Sequence, residues 1–260
     1  MIQIEQIKQF FPPIIQDSPI YYKYMVKEYL QLLILDYLSN SSYIGKLTFI
    51  GGTNLRLIKG IDRFSEDLDF DCKDLSKDDF FKLTDDVLVF LKRNGYKAQI
   101  RERKNDKLKA FRRNIYFPEF LFDLGLSGHR EERFLIKIES QDQNISYKRI
   151  ITKIKGCGFY FPFPVPTDEV LAAMKILAML SRQKGRDFYD VIFLLSQTMP
   201  DFDFLNSKKS ISNMFELKQS VKSMLHSVDL KIKTKDFEHL LFNKTKSKQI
   251  LHFNEFFEEL

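Results

Sequence analysis

The sequence predicts an α/β fold: a mixed sheet with flanking helices, followed by a helical C-terminal region. Three observations carry the prediction. Between residues 47 and 140, short apolar runs with strand-like alternation are separated by turn residues. Within them an apolar run, Leu47–Ile50, ends in Gly51-Gly52-Thr53, and a second run follows with acids at every other position, Asp67, Asp69 and Asp71. Beyond residue 167 the pattern is helical throughout.

Residues 1–45 read as helices. Ile4, Ile7 and Phe10 lead into a break at Pro12-Pro13, residues 19–38 are apolar at mixed three- and four-residue spacing, and Asn40-Ser41-Ser42 ends the run. Residues 46–72 read as strand, glycine turn, a short helical stretch over 54–59, and strand. Strand side chains alternate faces, so Asp67, Asp69 and Asp71 point one way while Leu68 and Phe70 point into a core. Clustered carboxylates repel one another, and a hard divalent cation such as Mg²⁺, working with a phosphate substrate, relieves the repulsion. Gly51-Gly52 lets backbone N–H groups approach an anion at the start of the helix that Thr53 opens. A phosphate cradle beside paired aspartates is the layout of a nucleotidyl-transfer site. Taken singly, GG-T is a common turn and DLDFD suits a solvated edge strand. Their order and spacing carry the functional reading.

Residues 78–93 read as a helix with Phe81, Val87, Leu88 and Leu91 among its apolar positions, stopped by Asn94-Gly95. Strands are expected over 96–103, 108–117 (after an Asn105-Asp106 turn) and 134–140. Residues 121–130, with Gly125, Ser127 and Gly128, read as a loop. Glu139 stands among Leu135, Ile136 and Ile138 on the last strand. The Gly/Pro/aromatic run 156–167 suggests a boundary, dividing the chain into 1–157 and 158–260. Thr167 with Asp168 and Glu169 reads as a helix start. In that helix Lys175 interrupts the apolar face, and Arg182 lies seven residues on, on the same face. Gly185 breaks it, and Arg186-Asp187 opens another helix with Asp190 one turn further. Residues 200–260 read as two or three more helices.

The 260 residues carry a net charge of +6, 44% hydrophobic residues, 26 Phe and no Trp. Such a chain buries a sizeable core as one large domain or two small ones. No apolar run reaches membrane-span length, and the start shows no basic-then-apolar leader, so the expectation is a soluble, cytoplasmic protein with no membrane partner. Two Cys and four scattered His suggest neither a disulfide framework nor a zinc site. Residues 92–113 hold ten Lys/Arg against two acids, whereas 201–260 hold ten Lys against nine acids. A basic focus of that kind suits a polyanion, or else a solubilising hairpin.

GGTNL followed by RFSEDLDF resembles the nucleotidyltransferase superfamily defined by a Gly-Gly-Ser/Thr turn and an Asp-x-Asp strand. The chain is most similar to the AbiEii/AbiGii toxin family of type IV toxin–antitoxin and abortive-infection (phage-defence) systems. Arg63, Ser65, Asp67 and Asp69 stand in register with that family's second motif. Lys137-Ile138-Glu139 matches its Lys-apolar-acid strand. Lys175, Arg182, Arg186, Asp187 and Asp190 match its later motifs, so the resemblance spans residues 49–195. Asn54 stands where the family often has Ala.

The resemblance implies a nucleotidyltransferase-type mixed sheet and transfer of a nucleoside monophosphate from an NTP to an acceptor, with release of pyrophosphate. Asp67, Asp69 and Glu139 would hold Mg²⁺ or Mn²⁺. Gly51, Gly52 and Thr53 would seat the phosphates, and Arg63 and Ser65 would hold the nucleotide or brace the loop. The helical C-terminal domain would contribute Lys175, binding the triphosphate, and Asp187, orienting Lys175 or contacting the nucleotide. The implied partners are the NTP, an RNA acceptor such as a tRNA 3′ end, and a separately encoded AbiEi-like antitoxin. A small-molecule acceptor of the antibiotic type, and a non-catalytic nucleotide- or RNA-binding module, are the alternatives.

Overall fold

The structure, a computed structural model, describes residues 3–101 and 110–260. The chain divides into two compact units. One comprises residues 1–60, 64–144 and 151–165, and the other residues 61–63, 145–150 and 166–260. The chain therefore passes between the units more than once.

The first unit opens with helices α1 (Ile4–Lys8), α2 (Pro13–Gln16) and α3 (Pro19–Ser39). Pro13 and Pro19 sit at helix starts, where their missing N–H leaves no bond unmade. Buried residues lie on every side of α3, from Tyr21 to Leu38, as in a helix enclosed by its own unit. Strand β1 (Leu47–Ile50) leads directly into α4 (Gly51–Leu57). That helix begins at Gly51, earlier than the 54–59 stretch expected, because Gly51 takes the left-handed φ of 82° that turns the strand into it.

Next come β2 (Asp67–Cys72) and α5 (Lys77–Arg93). Ser76 caps α5 by accepting from the Asp79 N–H, and Lys92 and Arg93 fill its last turn. Its buried face is Phe80, Leu83, Thr84, Val87 and Leu91, and Phe81, one of the apolar positions read from the sequence, is half-buried beside it.

The sheet is completed by β3 (Gln99–Ile100), β4 (Phe111–Tyr116) and β5 (Leu135–Gln141), in the order β1-β2-β5-β4-β3. β2 and β5 run parallel, and the other pairs are antiparallel. β3 is shorter than the 96–103 strand expected, and the Asn105-Asp106 turn lies outside the described residues. A short helix α6 (Phe120–Asp123) stands where the loop was expected to begin. Leu68, Phe70, Ile115, Ile136 and Ile138 fill one face of the sheet at 2% exposure or less. Phe49 and Phe163 pack on Phe70 there. The other face carries the polar alternation.

A two-stranded ladder pairs β6 (Arg149–Gly156) with β7 (Phe159–Pro166), and its turn and second strand occupy the stretch read as a boundary. Cys157 and Gly158, both at positive φ, make its tight turn. The prolines of β7 obscured the strand because proline removes a ladder donor.

From residue 166 the second unit is helical: α7 (Asp168–Arg182), α8 (Gly185–Leu195), α9 (Phe202–Lys209), α10 (Met214–Leu225), α11 (Leu230–Lys235) and α12 (Phe253–Glu259). Thr167 holds the N-cap position of α7 but makes no side-chain capping bond. Gln183 at φ 51° ends the helix. The segment 61–63 is held in this unit by a bridge from Arg63 to Leu241 and by the Phe242 N–H donating to the Asp62 carbonyl.

Candidate active site

Adjacent strands of the first unit place the expected acids side by side. In the parallel register Asp67 stands opposite Lys137, and Asp69 opposite Glu139. The antiparallel neighbour sets Arg112 opposite Glu139. Asp69, Glu139 and Arg112 thus form a row across three strands, on the face away from Leu68, Phe70 and Ile138. Asp71 follows the same alternation, but it is buried and accepts the Gln143 N–H at 2.9 Å.

The glycine turn abuts this row. Ile50, the residue before Gly51, pairs with Asp69. A Cβ on Gly51 would come within 2.8 Å of Asp69 Cβ and 2.9 Å of its carboxyl carbon, so only glycine lets the turn lie against that acid. Four side chains fix α4 behind it. Thr53 donates its hydroxyl to the Asp67 carbonyl, and Asn54 Nδ2 donates to the Phe49 carbonyl at 2.7 Å. Leu55 is buried, and Arg56 makes a two-pronged pair with buried Glu28 of α3 at 2.8 and 3.1 Å. Burial pushes the Glu28 carboxyl up, and Arg56 opposes that shift. Ser65 is buried, and its carbonyl accepts from Gln31 Nε2 at 3.2 Å.

Cations already stand among the acids. Lys137 Nζ lies 2.8 Å from Asp67 Oδ2 and 3.5 Å from Glu139 Oε2. Arg112 pairs with the other Glu139 oxygen. Burial lowers the Lys137 ammonium pKa, but Asp67, then Glu139 and Asp69, outweigh it and hold the value above that of free lysine. In the sequence Lys137 enters only through the Lys-Ile-Glu motif and Arg112 only through the basic focus 92–113, neither as a partner of the acids. The period of two on β5 was the available signal, since it sets Lys137 on the face of Glu139. The site's donor chemistry fits a hard divalent cation: carboxylate oxygens from neighbouring strands, with Asp67 and Glu139 side chains 25% and 21% exposed. Among the described residues no group of three His, Cys, Asp or Glu side chains is set to hold a metal ion. Asp67 and Glu139 pair instead with Lys137 and Arg112.

The other expected residues belong to the second unit. Arg63 is 1% exposed and donates through Nε and Nη2 to the two oxygens of Asp190, each at 2.7 Å. Lys175 donates to Asp190 Oδ2 at 2.8 Å. Burial works against the Asp190 charge, but Arg63 and Lys175 outweigh it and hold that carboxyl below the usual range. Burial lowers the Lys175 pKa, against the pull of Asp190. Asp187, fully buried, accepts from Arg182 at 2.6–3.1 Å and from the Lys184 N–H at 3.2 Å. Lys175 is thus held directly by Asp190, and Asp187 fastens the α7–α8 turn. Asp190 fell within the motif read from sequence without a role of its own.

The basic focus is divided. Residues 102–109 lie outside the described residues. Arg112 faces Glu139, while Arg113 is buried against Asp85 and Thr84 and over the Phe81 ring.

The chain is similar in fold to several solved structures. One is MenT4, a nucleotidyltransferase toxin of Mycobacterium tuberculosis H37Rv, with a TM-score of 0.65 and 15% identity over 100% of this chain and 91% of that one. JHP933 of Helicobacter pylori has a TM-score of 0.55 and 17% identity, covering 91% and 90% of the two chains. A further H. pylori structure has a TM-score of 0.55 and 19% identity, covering 90% and 93%. No curated protein matches by sequence. The family model for the AbiEii nucleotidyl transferase toxin of type IV toxin–antitoxin systems matches residues 33–259, which takes in both the carboxylate strands and the buried Arg63–Asp190–Lys175 cluster, and the chain belongs to that family.

Proposed function

We propose that the protein transfers a nucleoside monophosphate from an NTP to an RNA acceptor, such as a tRNA 3′ end, as a toxin countered by a separately encoded antitoxin. The observation that carries the reading is the placement of Asp67, Asp69 and Glu139 on adjacent parallel strands against the Gly51 turn. Asp67, Asp69 and Glu139 would hold Mg²⁺ or Mn²⁺, which when bound supplies positive charge to the reacting phosphate. Gly51 and Gly52 would let the chain approach the phosphates closely, while Thr53 keeps α4 on β2. The acceptor hydroxyl oxygen bonds to the α-phosphorus, the bond to the β-phosphate oxygen breaks, and pyrophosphate leaves. The hydroxyl proton passes to Glu139. Arg63 and Ser65 brace the segment that leads into β2. Lys175 and Asp187 enter through the motifs they match. Lys175 is the cation for the triphosphate, held by Asp190, and Asp187 sets the turn after α7.

The test uses each α-labelled NTP in turn, Mg²⁺ and total tRNA, with the Asp67→Ala protein alongside. Label entering tRNA only with the intact protein is the expected result, and it names the nucleotide. No label in tRNA, from a protein that still binds NTP, overturns the tRNA assignment.

A further inference from the structure

The three acids carry three formal negative charges, and Lys137 and Arg112 already offset two of them. Lys137 is the better placed to leave. Its ammonium ends a flexible four-carbon stem and is a compact, strongly hydrated charge, whereas Arg112 carries a planar, more weakly hydrated guanidinium that pairs with Glu139 through Nε. Its side chain is 24% exposed, level with Asp67 and Glu139, so water reaches all three. Strand register sets it opposite Asp67 and two residues before Glu139 on the same face, between two groups that would ligate a metal.

We propose that Lys137 is a resident counter-cation. It keeps the carboxylates closed to a free divalent ion and gives up its place when a nucleoside triphosphate arrives with the metal. The inference rests on the metal-binding reading of Asp67, Asp69 and Glu139 above. A free divalent ion must both shed water and displace an ammonium held within the same sheet. A triphosphate changes the balance, because its oxygens give the displaced ammonium a new partner. Metal and triphosphate therefore bind with positive coupling, and Lys137 is the positioning residue that creates it. An ion pair that only steadied β2 on β5 would affect stability and leave this coupling unchanged.

The experiment measures Mn²⁺ binding to the full chain by electron paramagnetic resonance and by thermal shift, with and without inorganic triphosphate as a base-free probe. The proteins are wild type, Lys137→Met, Lys137→Arg and Asp69→Asn, with Lys137→Gln replacing the Met variant should that one fail to fold. Wild type is expected to take up Mn²⁺ alone weakly and to gain it with triphosphate. Lys137→Met is expected to bind Mn²⁺ alone about tenfold more tightly and to lose most of the triphosphate effect. Lys137→Arg, which keeps the charge, should stay near wild type. Equal or weaker Mn²⁺ binding by Lys137→Met, with Asp69→Asn still abolishing binding, overturns the counter-cation role and leaves the metal reading standing. Absence of Asp69-dependent binding in every protein, with or without triphosphate, overturns both.

Discussion

Asp69→Asn removes a proposed ligand from a face that does not build the core, so transfer should fall at least about a hundredfold while the unfolding midpoint stays near wild type. Activity and thermal denaturation of the same preparation check both halves. Gly51→Ala forces a left-handed φ on alanine and drives its Cβ into Asp69, so it should destabilise by about 1–3 kcal/mol and abolish transfer; near-normal stability in urea titration would contradict the close approach. Asp190→Asn leaves Arg63 and Lys175 buried without their carboxylate and should cost about 3–5 kcal/mol near neutral pH. The sign of its pH dependence follows from the depressed carboxyl. The stabilisation Asp190 provides is complete above its ordinary value of 3.8 and is lost as pH falls through the lower folded value. The gap between wild type and Asp190→Asn should therefore narrow below about pH 4, as denaturation at pH 7 and pH 3 would show.

At the scale of elements, the site depends on which neighbours each strand and helix is given. The turn at Gly185 is one example. Its N–H donates to Asp236 at 2.9 Å, and a Cβ there would come within 2.8 Å of the Phe237 ring. Gly185→Ala should therefore loosen α8 from the segment after α11 and lower stability by about 1–3 kcal/mol, with Asp69-type chemistry untouched in the fraction that remains folded. Activity normalised to folded protein separates the two effects. The parallel pairing of β2 with β5 joins segments some 70 residues apart in sequence, Asp69 and Glu139. The alternation within each strand was legible beforehand; the pairing between them was not. Thr53 likewise reads as a helix start, but its hydroxyl fastens α4 to the backbone of β2.

For the whole molecule, the two clusters that the motifs mark lie one in each compact unit. The carboxylate row belongs to the first, and the Arg63–Asp190–Lys175 cluster to the second. Variants of the two should separate on paired measurements. Asp69→Asn should lose activity at unchanged stability, and Asp190→Asn should lose stability first. Lys175→Met, which keeps the apolar stem, should raise the KM for NTP more than tenfold; an unchanged KM with lowered stability would limit Lys175 to holding α7 on α8. Among the described residues no helix is long and apolar enough to cross a membrane.

The sequence by itself determined the fold class, the α/β core with a helical C-terminal region, because hydrophobic period and turn residues are local properties. It also marked Asp67, Asp69, Glu139, Lys175 and Asp187 as candidates, through the family motifs they match and, for the first two, the strand alternation that puts them on one face. Only the tertiary structure decided the partners. Strand order brought Lys137 and Arg112 to the acids, and the fold of the second unit gave Lys175 to Asp190 rather than Asp187. It also turned the proline-rich 156–167 stretch into one arm of a hairpin and assigned residues 61–63 to the second unit. The physical reason is the same in each case: ion pairing and strand pairing depend on distance in space, and residues distant in sequence acquire that distance only when the chain has folded.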